Sequence, residues 1–272
     1  MQRFLILLPF LLLAGCAMNI DTTRIGVTGL HQVYTLDTSY AIEKVQYSSI
    51  KDTYYIWEKN TYNIHLYRSG KEINLIGGLG YAKENFQKLT DIGVGADGSL
   101  YCLDQMPKKL KKFDADGRWL LDYDVAWSQE PVKFALDQSN QIIFFDDIQR
   151  EFTFSSDLRP EEVFQFGKFQ VISVDQITIN NNLLIVNEPE PKQTSFFSLL
   201  GEYMVTRQGR IVADRFGNLF RMDANNITMI PSNETAASSI VPYTGIVVFD
   251  PFLLTTTEHQ IQKWQIDYAP KP

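Results

Sequence analysis

The sequence predicts an all-β protein: a six-bladed β-propeller of about 40 residues per blade, closed by an N-terminal strand and preceded by a secretory leader. Three observations carry this. Short runs rich in β-branched and aromatic residues alternate with turn residues along most of the chain, the pattern of strands rather than helices. A turn position followed seven residues later by an acid recurs six times. The last of these repeats lacks an outer strand that the beginning of the chain is able to supply.

The clearest unit is Asp91 to Leu120, DIGVGADGSLYCLDQMPKKLKKFDADGRWL, which reads as three strands separated by turns, with a fourth beginning at Trp119. Its two Asp-Gly pairs, Asp97-Gly98 and Asp116-Gly117, tolerate the positive φ of tight hairpins. The recurring turn and acid are Lys51 with Glu58, Asp97 with Asp104, Ser139 with Asp146, Asn181 with Glu188, Phe216 with Asp223, and Pro251 with Glu258. Between them lie YYIW, LYCL, IIFF, LLIV, LFRM and LLTT. Successive turns are 46, 42, 42, 35 and 35 residues apart, the spacing of propeller blades of three or four strands. A β-sandwich is the alternative, but it gives no reason for an acid at one offset six times.

The sixth unit ends with IQKWQIDY at Ile261 to Tyr268, so its outermost strand must come from elsewhere. The alternating stretch GLHQVYTL within Arg24 to Leu36 fits that place and joins the chain ends. The expected organisation is a leader over 1–15, a tether over 16–23 and a propeller over 24–272. Ala82 to Leu89 is the one short run of helix-favouring residues and is expected in an interblade connection. Gly77-Gly78-Leu79-Gly80 belongs to the same connection, since it lacks the Lys-Ser or Lys-Thr of a phosphate loop.

Gly95-Ala96-Asp97-Gly98, Leu100 to Asp104 and Phe113-Asp114 follow one another as in an NHL-type propeller repeat, and the ring resembles NHL-repeat and TolB-like propellers. Six-bladed propellers also include gluconolactonase-like hydrolases and NHL-type lyases, whose likeness implies metal ligands on the inner strands.

The chain opens with Met1-Gln2-Arg3 and an apolar run ending Leu13-Ala14-Gly15-Cys16. A basic residue before a short apolar stretch is a signal-peptide pattern, and the stretch falls short of the roughly 20 residues of a membrane span. The ending resembles the lipobox of bacterial lipoproteins, which implies cleavage before Cys16 and lipid on its sulfur and amino group. An ordinary signal peptide with an incidental cysteine is the alternative. The expected location is the cell envelope, anchored to a membrane through Cys16. Ala17 agrees with sorting to the outer membrane, facing the periplasm. The roughly eight-residue tether reaches at most about 28 Å.

A net charge of −7 argues against nucleic acid as a partner. With Cys16 lipidated, Cys102 has no disulfide partner and reads as a buried hydrophobe. His31, His65 and His259 show no ligand spacing. The six acids read as caps of loop amides, with an oxygen-ligated calcium as the other possibility. Lys108, Lys109, Lys111 and Lys112 form a candidate partner surface, or else a solvated hairpin edge. Inner strands are expected near Val45–Tyr47, Ile92–Ala96, Lys133–Leu136, Asp175–Thr178, Val212–Asp214 and Val247–Phe249, offering chiefly Asp175, Gln176 and Asp214 as polar groups. On that account the expectation is a noncatalytic scaffold or accessory subunit bound to other envelope proteins, with no catalytic residues, metal or cofactor. The alternatives are a metal-dependent hydrolase or lyase with its site at the channel, and a carbohydrate- or peptide-binding lipoprotein.

Overall fold

The computed structural model describes residues 25–137, 139, 141–155, 163–180, 183–230 and 232–270. The leader, Cys16, the tether and Asn181 lie outside them. Among the described residues there are 24 strands and no helix, arranged as six four-stranded antiparallel sheets. The first blade is β2 (Ile42–Ser48), β3 (Thr53–Glu58), β4 (Asn63–Arg68) and β5 (Lys71–Gly77), running outward from the axis. The second is β6 (Leu89–Val94), β7 (Leu100–Asp104), β8 (Lys109–Phe113) and β9 (Trp119–Asp124). The third is β10 (Pro131–Leu136), β11 (Ile142–Asp146), β12 (Glu151–Ser155) and β13 (Val163–Phe166). The fourth is β14 (Gln176–Asn180), β15 (Leu183–Glu188), β16 (Gln193–Ser198) and β17 (Tyr203–Gln208). The fifth is β18 (Arg210–Ala213), β19 (Leu219–Met222), β20 (Asn226–Ile230) and β21 (Thr235–Ser238).

The sixth blade is made from both ends of the chain. Its inner strands are β22 (Gly245–Phe249), β23 (Phe252–Thr256) and β24 (Gln260–Pro270), and its outer strand is β1 (Ile25–Asp37). β1 pairs antiparallel with β24 from Ile25 opposite Pro270 to Asp37 opposite Gln260. The expected closure by the N-terminal segment is therefore present. The expected helix-favouring run at Ala82 to Leu89 is an irregular connection that enters β6 at Leu89. Gly77, which opens this connection, has φ of +96°, and a Cβ there would overlap the Tyr62 carbonyl oxygen and the Phe86 ring. Only glycine fits.

Radial blades bury both faces of their middle strands, which is why YYIW, LYCL and IIFF are continuous apolar runs rather than alternating ones. Alternate side chains of one strand serve different neighbours. Tyr55 and Trp57 pack towards the second blade with Ile92, Leu100 and Cys102, while Tyr54 and Ile56 pack towards the sixth with Val247 and Leu254. Each of the six blade interfaces has its own cluster of buried side chains. Cys102 is free, fully buried and carries a thiol pKa pushed up by that burial.

Four of the six repeated acids, Glu58, Asp104, Asp146 and Glu188, accept side-chain or loop hydrogen bonds at the ends of the second strands. Asp146 accepts from the Ser128 hydroxyl, from the amides of Gln129 and Glu130, and from the amides of Ile148 and Gln149. Asp104 accepts from the amides of Gln87 and Lys88. Glu58 and Glu188 take side-chain donors instead, Asn63 and Thr61 in the first case and Gln193 and Ser195 in the second. Asp146 and Asp104 thus tie an interblade connection to the second strand of the blade it enters.

The tyrosines at the blade interfaces set an alkaline limit on stability. Burial raises the pKa of Tyr40, Tyr47, Tyr54, Tyr55 and Tyr268 above the ordinary 10.0. Above pH 10 the unfolded chain releases phenolic protons that the folded chain keeps, so the folded state binds more protons and stability falls as pH rises. Lys44, whose pKa burial lowers, acts in the opposite sense as a single group. Urea unfolding is expected to show a midpoint that drops progressively from pH 9.5 to pH 11.5; an unchanged midpoint would show the phenols to be solvated.

Candidate functional site

All six inner strands begin on one face of the ring, here the entry face, because each outer strand runs up to that face and passes to the next blade. In β2, β6 and β10 one residue near the start is bulged out of register: Glu43, Thr90 and Val132. The next residue in each strand occupies an equivalent place: Lys44 opposite Trp57, Asp91 opposite Leu103, and Lys133 opposite Phe145. Gln176 opposite Asn187 and Arg210 opposite Met222 continue the series. Each of these partners directly precedes one of the repeated acids. In the sixth blade the place falls at Thr244, whose amide donates to the Thr256 carbonyl at 2.7 Å. Six inner strands thereby contribute a polar ring: Lys44, Asp91, Lys133, Gln176, Arg210 and Thr244.

Five of the six line a cavity of about 370 Å³ at the entry mouth, together with Asp175 and the rim residues Glu43, Lys59 and Glu258. Asp91 lies beneath it, fully buried. Its carboxylate receives the Lys44 ammonium at 2.5 Å, the amide of Ile92 at 3.0 Å and the amide of Phe134 at 3.0 Å, and so joins the first three blades. Among the described residues Lys133 reaches only the Thr90 carbonyl, at 3.4 Å. Burial lowers the Lys44 pKa; Asp91 opposes that shift, and the Lys133 ammonium adds to it. Across the mouth, Arg210 forms an ion pair with Asp175 and donates to the Thr244 carbonyl at 3.0 Å. Gln176 donates to the Ile246 carbonyl at 3.2 Å.

The opposite mouth opens into a cavity of about 340 Å³, and several of its polar groups are taken up by turns and blade-to-blade bonds. Asn180 donates to the Ala213 carbonyl, the Arg215 amide to Asp250, and the amides of Ser139 and Gln141 to Asp137. Tyr268 also donates its hydroxyl to Asp250. Asp214, expected as a channel group, accepts from the amides of Phe216 and Asn218 within a hairpin, and burial raises its pKa.

Asp175 and Gln176 are thus where the sequence placed them, at the channel, and Asp214 is not. Lys133 was placed on an inner strand but not counted among the channel's polar groups, and Lys44, Asp91, Arg210 and Thr244 were missed. The signal was a polar residue twelve to fourteen positions before each repeated acid. Of the lysine cluster, Lys109 pairs with Asp122, and Lys112 pairs with Asp97 over the Tyr101 ring. Lys111 is buried, donating to the carbonyls of Lys83 and Asn85. Lys108 sits in the preceding turn at φ of 53°.

The entry mouth does not fit a divalent ion of the kind that propeller hydrolases and lyases imply. The buried Asp91 and the half-buried Asp175 are each committed to a cation, and ammonium and guanidinium groups stand beside them. Among the described residues no group of three His, Cys, Asp or Glu is arranged to hold a metal. None of the histidines lines either mouth. His31 pairs with Asp267 on the outer strands, and His65 stacks on Tyr40 between Glu58 and Glu72.

No family model matches the sequence, and no curated protein matches it. Solved structures do share the ring. A gluconolactonase from Xanthomonas campestris is similar at a TM-score of 0.64 and 13% identity, over 88% of this chain and 89% of that one. A streptogramin B lyase is similar at 0.58 and 13%, over 88% and 98%. A catalytically inactive virginiamycin B lyase from Staphylococcus aureus, solved with quinupristin, is similar at 0.57 and 16%, over 82% and 80%. At these identities the likeness establishes the six-bladed fold. It also overturns the expectation of a noncatalytic scaffold, since these three rings, alike along most of their length, are enzymes.

Proposed function

We propose that the chain is a hydrolase or lyase acting at the entry mouth, with Lys44 as the proton acceptor. The observation that carries this is a mostly buried lysine, braced by a fully buried carboxylate, opening on a polar cavity at the axis of the ring. Burial disfavours the ammonium form and so raises the fraction of free amine near neutral pH. In a hydrolase, the amine takes a proton from water as its oxygen bonds to an ester carbonyl carbon. The charge on the carbonyl oxygen then faces the Lys133 ammonium. The ester C–O bond breaks, and the leaving oxygen recovers the proton from Lys44. In a lyase, the same amine takes the proton from a carbon next to a carbonyl, and the electron pair expels the oxygen across a new double bond. Neither route draws on a metal, in keeping with the donor set.

The test is ring opening of gluconolactone, followed by pH indicator, and opening of a streptogramin B antibiotic, followed by mass. Lys44→Met is expected to lower kcat/KM by about 10²–10⁴-fold with the melting transition retained. Full activity in that variant overturns the proposal. Chelator is expected to leave activity unchanged.

We also propose that Cys16 tethers the ring to a membrane. β1 starts, and β24 ends, on the face opposite the entry mouth, so a short tether there turns the mouth away from the lipid. Cys16→Ser is expected to move the folded protein from the membrane fraction to the soluble one.

A further inference from the structure

The ring at the entry mouth is unevenly charged. Arg210 and Asp175 neutralise one another and Lys44 pairs with Asp91, whereas Lys133 has no carboxylate within ion-pair reach among the described residues and donates to the Thr90 carbonyl. One positive charge is left over at a partly buried position, where it is screened less than at the surface. The rim acids Glu43 and Glu258 are exposed and solvated, so they do not cancel it.

Around this mouth the face is apolar in a particular way. Leu79 and Tyr81 stand exposed on the connection 78–88, Phe169 and Ile172 on 167–175, and Ile240 and Val241 on 239–244. These are the first, third and fifth interblade connections, and each must cross the entry face from an outer strand to an inner one. The third leads into Asp175 and the fifth into Thr244, both at the cavity. These exposed apolar side chains stand on the face that carries the cavity, outside its lining, where an apolar body extending beyond the cavity meets them.

We propose that the entry mouth binds an amphiphilic anion, its oxyanion between Lys44 and Lys133 and its apolar body against the crown of connections. This inference rests on the same site as the proposed enzyme activity, and it names the class of product: the carboxylate that ester hydrolysis leaves sits where the reacting carbonyl stood, and its acidic proton passes to the Lys44 amine, which then holds it as an ammonium. An oxyanion accepts from both ammonium groups and supplies the counter-charge that Lys133 lacks. The apolar body covers side chains that water now faces.

Titration calorimetry of the whole protein with decanoate, below its micelle concentration, tests the inference without requiring turnover. Decanoate is expected to bind at least about tenfold more tightly than acetate, which has the head group alone, and than decyltrimethylammonium, which has the chain with the opposite charge. Lys133→Met is expected to weaken decanoate by about tenfold with the melting transition retained, and Ile172→Ser with Phe169→Ser to weaken it while leaving acetate unchanged. Equal binding of decanoate and decyltrimethylammonium, equal binding of decanoate and acetate, or undiminished binding by the Lys133 variant would overturn it. Binding of decanoate as expected, with no lactone or depsipeptide opening under any condition, would instead sink the proposed reaction and leave the site standing.

Discussion

A chain lacking residues 25–37 is expected to lose its cooperative melting transition and to aggregate, although five of its six blades are intact in sequence. β1 pairs with β24 along nearly the whole strand, from Ile25 to Asp37. Its side chains also close two interfaces: Leu36 is buried with Ile42, Val45 and Leu254 between the sixth and first blades, and Val27 and Leu30 pack against the cluster between the fifth and sixth. Removing it bares the edge of β24, whose unpaired amides and carbonyls are a template for another chain. A ring cannot be partly closed, so the loss is not confined to one blade. The control is a permutant that starts at Thr38 and carries residues 24–37 after Pro272 through a short glycine-serine linker. Ile25 and Pro270 are paired, so the linker has little distance to cover. The permutant is expected to melt cooperatively, close to the natural chain. If the deletion itself melts cooperatively, or the permutant fails while the natural chain folds, β1 is not the closing strand.

The ring was legible in the sequence because its determinants repeat by residue type. Strands buried on both faces give YYIW and IIFF, and the acids that close the following loops recur at a fixed distance from a turn. Even the irregular first turn keeps the geometry: Lys51 precedes Asp52, which takes φ of 49° where an Asp-Gly pair would place glycine. The site was not legible, because its members repeat in position and not in type. Lys44, Asp91, Lys133, Gln176, Arg210 and Thr244 share a register position and almost no chemistry. The bulges at Glu43, Thr90 and Val132 added a second obstacle. They extend the inner strands towards the entry face, so a strand taken to start at Val45 or Ile92 passes over Lys44 and Asp91. A channel judged to have few polar groups then argued for a scaffold, and the error in function followed from strand starts set one to three residues too late at Lys44, Asp91, Arg210 and Thr244.

Asp91→Ala is expected to cost about 3–5 kcal/mol, the price of leaving a buried charge without its partner. The carboxylate is fully buried and holds three donors from three blades, the Lys44 ammonium and the amides of Ile92 and Phe134. For a chain of this size that is a fall in melting temperature of roughly 6–20 °C. Asp91→Asn retains the shape and one acceptor oxygen and is expected to lose less, since the Phe134 amide keeps a partner while Lys44 loses its counter-charge. Lys44→Met in the Asp91→Ala background removes the stranded ammonium, and the double variant is expected to be more stable than Asp91→Ala alone. That inequality is the decisive measurement, because additive losses would mean that Lys44 turns out to solvent when its partner is removed. The same carboxylate opposes the fall in the Lys44 pKa, so its removal lets that pKa drop further. If the free amine is the working form, the acid limb of the pH–rate profile of Asp91→Asn must move to lower pH even as the protein melts earlier. A packing role alone would shift the melt and leave the limb in place. Stability and acidity are therefore expected to move in opposite functional directions at one residue, which separates a brace from a base.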